Sequence, residues 1–185
     1  MNRLKTGIRS LISTPGLLAA LLCLGACTGL PENVQPVQNF DLDRYYGKWY
    51  EIARLDHRFE RGLEQVSAQY SAGEDGSVRV LNRGYSAEDG WQSAEGKALF
   101  VGPSNEGYLK VSFFGPFYGS YVIFELDQEN YQYAFVAGNS TSYLWLLART
   151  PTVSAELQER FVQRASALGF PVDELIFVDQ QSNRP

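Results

Sequence analysis

The chain has 185 residues, 44% of them hydrophobic and 14% aromatic, with a formal net charge of −5. An acidic chain lacks the basic face that phosphate backbones demand, which argues against nucleic acid as a partner. Both cysteines fall within the first 27 residues, so neither a disulfide framework nor a cysteine-based metal site is expected in the folded domain.

Arg3, Lys5 and Arg9 precede a mostly apolar run over 11–24, and Leu24-Gly25-Ala26-Cys27 follows. The run is too short and wrongly flanked for a membrane-spanning helix and reads as a signal peptide over 1–26. Leu24-Gly25-Ala26-Cys27 resembles a bacterial lipobox. That resemblance implies a diacylglycerol on the thiol of Cys27, cleavage just before it, and acylation of the new amino terminus. Several acyl chains on one residue anchor stably, at about 0.8 kcal/mol per buried CH₂. Thr28 rather than an aspartate follows the cysteine, which by analogy with enteric lipoproteins implies the periplasmic side of the outer membrane. Removing 1–26 takes away three of 16 basic residues and no acidic one, leaving 159 residues with 13 basic and 21 acidic side chains, a net of −8. Residues 27–39, with Pro31 and Pro36, read as a lipid-anchored tether before a domain over 40–185.

Strand signals then follow one another, separated by turns. They cover 49–55, 65–71, 77–85, 91–101, 108–114, 120–126, 132–137 and 143–148. Asp75-Gly76, Asp89-Gly90 and Gly102-Pro103-Ser104-Asn105 punctuate them. An eight-strand meander closes into a sandwich or an up-and-down barrel. The period then changes: Leu157, Phe161, Ala165 and Leu168 form one helical stripe. Ser154 is placed as its N-cap and Gly169 as its stop. A short strand over 175–178 ends the pattern. The fold class is therefore all-β, an eight-stranded antiparallel up-and-down β-barrel with one C-terminal α-helix packed outside and a short final strand.

Chemistry-bearing patterns are sparse. His57 is the one histidine and sits in a charged loop, where a solvated role is the ordinary one. No nucleophile elbow or phosphate-binding glycine loop is present, and no acid–base pair is recognisable. No enzyme, cofactor or metal is expected. The aromatics over 70–145 are more telling, because tyrosines with a polar tip suit a cavity wall as well as a core.

Phe40-Asp41-Leu42-Asp43-Arg44-Tyr45-Tyr46-Gly47-Lys48-Trp49-Tyr50-Glu51-Ile52 resembles the first motif of the lipocalins, built around Gly-x-Trp. Leu144-Trp145-Leu146-Leu147-Ala148-Arg149-Thr150-Pro151 resembles their third. Glu51-Ile52-Ala53-Arg54, Glu60-Arg61-Gly62-Leu63-Glu64 and 111–119 are similar to the bacterial branch of that family. The resemblance covers about 40–180. It implies a short helical turn across a closed barrel end, Trp49 opening the first strand there, and Arg149 lying over its indole. Gly47 would let the backbone pass close by. It also implies a fatty acid or lysophospholipid ligand and a homodimer in some members.

Alternation from Trp49 predicts Glu51 and Ala53 facing inward unless a bulge intervenes. Tyr70, Phe113, Tyr121, Phe135 and Trp145 complete the expected lining. Arg54, Arg58 and Arg61 are candidates for a polar headgroup at the mouth. The first functional expectation is an anchored lipid carrier or store in the cell envelope. Alternatives are an envelope interaction protein with a filled barrel, docking through Phe114, Pro116, Phe117 and Tyr118, and a lipid-modifying enzyme.

Overall fold

Short alternating runs joined by tight turns give antiparallel neighbours, and in the computed structural model, which describes residues 28–180, they close on themselves. The expected signal peptide, the expected lipidation site Cys27 and residues 181–185 lie outside the described residues. Helix α1 (Leu42–Tyr45) leads into strands β1 (Gly47–Leu55), β2 (Leu63–Ala72), β3 (Val78–Ser86) and β4 (Gly90–Phe100). Strands β5 (Tyr108–Phe114), β6 (Phe117–Leu126), β7 (Tyr133–Ala137) and β8 (Leu144–Ala148) follow. Each strand pairs antiparallel with the next, and β8 returns to β1, which also pairs with β2. Helix α2 (Ala155–Ala167) packs outside, and β9 (Leu175–Phe177) adds to β1. The β1–β2, β3–β4, β5–β6 and β7–β8 turns form one end, the mouth. Helix α1 and the remaining turns form the base.

Two apolar cores follow from the two faces of the sheet. The inner one gathers Trp49, Tyr45, Tyr70, Leu109, Ile123, Ala134, Val136 and Leu147. The outer one lies under α2 and gathers Ile52, Phe124, Phe135, Leu146, Phe161, Ala165 and Phe170. Ser154 caps α2 by accepting from the Leu157 amide, and Gly169 ends it at φ +84°.

The register corrects two expected positions. A bulge between Glu51 and Ala53 in the β1–β8 pairing puts Ile52 and Ala53 together on the outer face, so the inward row runs Trp49, Glu51, Arg54. Ala53 therefore packs in the outer core. Phe135 does too: it pairs with Leu146, and its ring meets Phe161 at 5.0 Å. Its neighbours Ala134 and Val136 take the inward positions of β7.

Two segments outside the strands are tied to the wall. The tether is docked: Val34 is fully buried, the Val37 amide donates to Ile123 O at 2.8 Å, and the Gly107 amide donates to Val37 O. Higher up, the Ser120 and Tyr108 hydroxyls donate to the carbonyls of Gly29 and Thr28. The C-terminal segment closes a seam. The β1–β2 pairing runs from Gly47↔Tyr70 to Tyr50↔Ser67. Above it, the Gln180 side-chain amide donates to Glu51 O at 2.7 Å and Val66 O at 2.8 Å, bridging both strands. The Val178 and Gln65 amides donate to Ile52 O and Asp179 O.

Candidate functional site

The base is a plug. Trp49 is fully buried, and the Arg149 guanidinium lies 4.0 Å from its ring centroid. Arg149 also donates to three carbonyls: Arg44 O at 2.7 Å, Lys48 O at 3.1 Å and Tyr131 O at 3.2 Å. The planar five-donor guanidinium suits this simultaneous use of ring and carbonyls. Gly47 takes φ +102°, and a Cβ there would lie 3.1 Å from Arg149 Nη1, so both conformation and closeness call for glycine. The Trp49 indole N–H donates to Tyr45 O, and the Tyr45 ring stacks on it at 4.6 Å.

Above the plug, three tyrosine hydroxyls join. Tyr45 and Tyr121 meet at 2.7 Å, and Tyr121 and Tyr70 at 2.8 Å. Burial pushes all three phenols above their ordinary range, so they stay protonated. Three hydroxyl protons serve two mutual bonds, which leaves one donor over. Tyr121 is half-buried while Tyr45 and Tyr70 are buried, so the floor of any lumen is this tyrosine layer.

The upper half of the barrel is open. The β3–β4 register runs without a break, so Gln92, Ala94, Gly96 and Ala98 share the inward face of β4. Ala98 is buried, Gly96 is intermediate, and Ala94 and Gln92 are exposed. Gly119, the inward partner of Val111, is exposed as well. Inward-facing residues that solvent reaches mark a lumen, and small side chains on β4 and β6 keep it wide. Phe113 lies across Gly96, where an added Cβ would approach its ring to 2.8 Å. Depressions of about 340 and 260 Å³ also mark the surface, beside α2 and at the base. Neither is lined by these mouth residues.

One wall of the mouth is charged and buried. Arg54 Nη1 donates to Glu51 Oε1 at 2.7 Å, and Nη2 to Glu60 O and Leu63 O. Trp145 Nε1 donates to Glu60 Oε2 at 3.1 Å, and His57 Nε2 lies 3.0 Å from the same oxygen. Burial, then the nearby Glu60 carboxylate, raises the Glu51 carboxyl well above its ordinary range, and Arg54 opposes this only in part. Burial also works against ionised Glu60, but His57 and Trp145 outweigh it and hold Glu60 low. His57 is therefore no solvated loop residue: it is only 7% exposed, with its ring 5.1 Å from Trp145 and 5.9 Å from Tyr143. Its partners are a carboxylate and rings, with no serine or cysteine in the set.

Glu51, Tyr70, Phe113, Tyr121 and Trp145 thus share the inner face, and Ala53 and Phe135 do not. Arg54 is committed to Glu51 and two carbonyls, while Arg61 pairs with Asp56 on the outside. Sequence reading missed Glu60, Ala94, Gly96 and Gly119 as parts of the mouth. The visible signal for the last three was small residues at alternate positions in aromatic strands. Glu60 carried none, because a loop folds it inward. Among the described residues, no group of three His, Cys, Asp or Glu could hold a metal ion.

A closed eight-stranded antiparallel barrel with one outer helix and an arginine–tryptophan plug at its base is a lipocalin fold. Insecticyanin from the tobacco hornworm Manduca sexta superposes with a TM-score of 0.65 at 21% identity, covering 83% of this chain and 88% of that one. A lipocalin-like domain model matches residues 40–180, and the chain belongs to the lipocalin family. It is 59% identical over 166 residues to the outer membrane lipoprotein Blc of Vibrio cholerae, covering 89% of this chain and 97% of that protein. Against the outer membrane lipoprotein Blc of Escherichia coli K12 it is 52% identical over 151 residues, covering 81% and 85%.

Proposed function

We propose that the chain is a lipoprotein of the bacterial outer membrane, anchored through Cys27. In this reading it binds fatty acids or lysophospholipids and stores or carries them in the envelope. The observation that carries the binding role is the solvent-reached inner face of β4 and β6 above a protonated tyrosine floor. An acyl chain needs apolar wall and no counter-charge, at about 0.8 kcal/mol per CH₂ buried. Gly96, Phe113, Val111 and Tyr121 offer that wall. The spare hydroxyl proton offers a donor to a ligand oxygen. The anchoring and location are supported by the lipobox-like Leu24-Gly25-Ala26-Cys27 and by two relatives at 59% and 52% identity that are outer membrane lipoproteins.

Lipid extracted from the purified protein and weighed by mass spectrometry tests the reading. One acyl-bearing molecule per lumen is the expected result. A delipidated protein that ignores micromolar fatty acid and lysophospholipid overturns it. The lower half of the barrel, filled by Trp49, Tyr45, Tyr70 and Tyr121, supports a second reading, an interaction protein with little room inside. A protein that takes up no lipid but captures a specific envelope partner would favour it.

A further inference from the structure

We infer that the barrel sits mouth-down on the same membrane that holds its own acyl anchor, with the β5–β6 hairpin tip in the lipid interface. This rests on the reading that Cys27 is acylated. The first observation is where the exposed rings lie. Phe114 and Phe117, at the β5–β6 tip, are 73% and 74% exposed, Phe59 on the β1–β2 loop 58%, and Trp91 beside the β3–β4 turn 46%. All four belong to the mouth, while Ile176 and Phe177, 38% and 50% exposed, lie on β9 at the outer wall beside α2. At the base, the one exposed large apolar side chain among the described residues is Val101. Burying rings of this size at a membrane interface is the ordinary way a peripheral protein holds a lipid surface.

The second observation is independent and says what covers the rings. The tether does not hang free from the base. It climbs the outer wall from Phe40, whose amide donates to Asn105 O in the β4–β5 turn, past Val37 at Ile123, to Gly29 at Ser120. Ser120 is three residues from Phe117, about 10 Å along the strand. Thr28, the first described residue, accepts from the Tyr108 hydroxyl beside Gly29, so the described tether ends on the wall near Ser120, and an anchor on the adjacent Cys27 starts from there. Residues 28–40 supply no slack for the anchor to turn back, because Val34 is fully buried and Val37 is bonded to both Ile123 and Gly107. The acyl chains and the Phe114–Phe117 tip therefore reach one plane together, whereas the base cannot reach it.

Charge does not drive this contact. Arg58 on the β1–β2 loop and Lys110 near the tether offer cations, but Glu88 and Asp89 at the β3–β4 turn oppose them. Docking is thus apolar and needs no anionic lipid. It also points the open lumen at the leaflet from which a lipid would enter.

The test uses the full lipidated protein in phosphatidylcholine vesicles containing acyl-brominated phosphatidylcholine. With Cys27 acylated, Phe114→Cys carries a single bimane at the tip, and Ser104→Cys carries one at the base. Bromolipid quenching at 114 at least about threefold that at 104 is expected, since interfacial burial runs several ångströms deep. Adding Phe117→Asp to the Phe114→Cys protein should bring that quenching down to the level at 104 while the protein still floats with the vesicles. Equal quenching at both sites in floating protein overturns the orientation and leaves the anchor standing. Failure to float overturns the anchor, and the orientation with it. Shielding of the 114 label that needs no vesicles and grows with protein concentration overturns the inference in favour of a second copy on the tip.

Discussion

Arg149 makes one ring contact and three carbonyl bonds at the base, so its removal leaves buried groups without partners. Arg149→Met should cost about 3 kcal/mol in urea unfolding, from a cation–π contact and charge-assisted bonds. Arg149→Lys should recover only part, because an ammonium cannot reach ring and carbonyls together. An equal loss in both variants would show that the planar fork is irrelevant. Trp49, Gly47 and Arg149 were placed by the resemblance of their two motifs to those of the lipocalins, not by alternation. Ala53 was misplaced by alternation: a bulge shifts parity by one residue and leaves no mark in the pattern.

Glu51 makes a prediction about pH at the same scale. Its folded pKa is raised, so between its ordinary value near 4.5 and that raised value the folded state holds a proton the unfolded state has lost. Its contribution is present at low pH and fades as pH rises through that window. Glu51→Gln keeps a donor and an acceptor and removes the titration. Urea midpoints measured from pH 5 to 8 should therefore move in favour of the variant as pH rises. Parallel curves would mean that Glu51 is already ionised throughout.

At the scale of elements, β4 and β7 do different work. Phe135 on β7 joins the wall to Phe161 of α2, so Phe135→Ala should lose about 3–5 kcal/mol of stability. Lipid uptake by the protein that remains folded should be unchanged. Ala94 on β4 faces an open lumen, so Ala94→Trp should leave the unfolding midpoint within about 0.5 kcal/mol, as exposed sites do. The same indole should obstruct entry and lower fluorescent fatty-acid uptake by about tenfold, which is 1.4 kcal/mol. Uptake lost with Phe135→Ala, or kept with Ala94→Trp, would place the lumen elsewhere. Strand existence and order were plain from alternation and turn residues. Which face was inner was not, because β6, β7 and β8 bury both sides, one under α2 and one in the barrel, and two-sided burial erases the polar–apolar rhythm.

At the scale of the whole molecule, chain order and spatial order diverge. Strand β8 must find β1 across nearly a hundred residues, and the tether, which reads as a loose linker, lies docked because Val34 and Val37 have an apolar wall to cover. Long-range pairings of this kind make for slow folding. Gln180 adds a last condition, since its amide clasps Glu51 O on β1 and Val66 O on β2, which lie 129 and 114 residues earlier in the chain. A polypeptide emerging amino-terminus first cannot fasten that clasp until all nine strands have been made. The seam above the β1–β2 pairing is thereby the last stretch of wall to be locked.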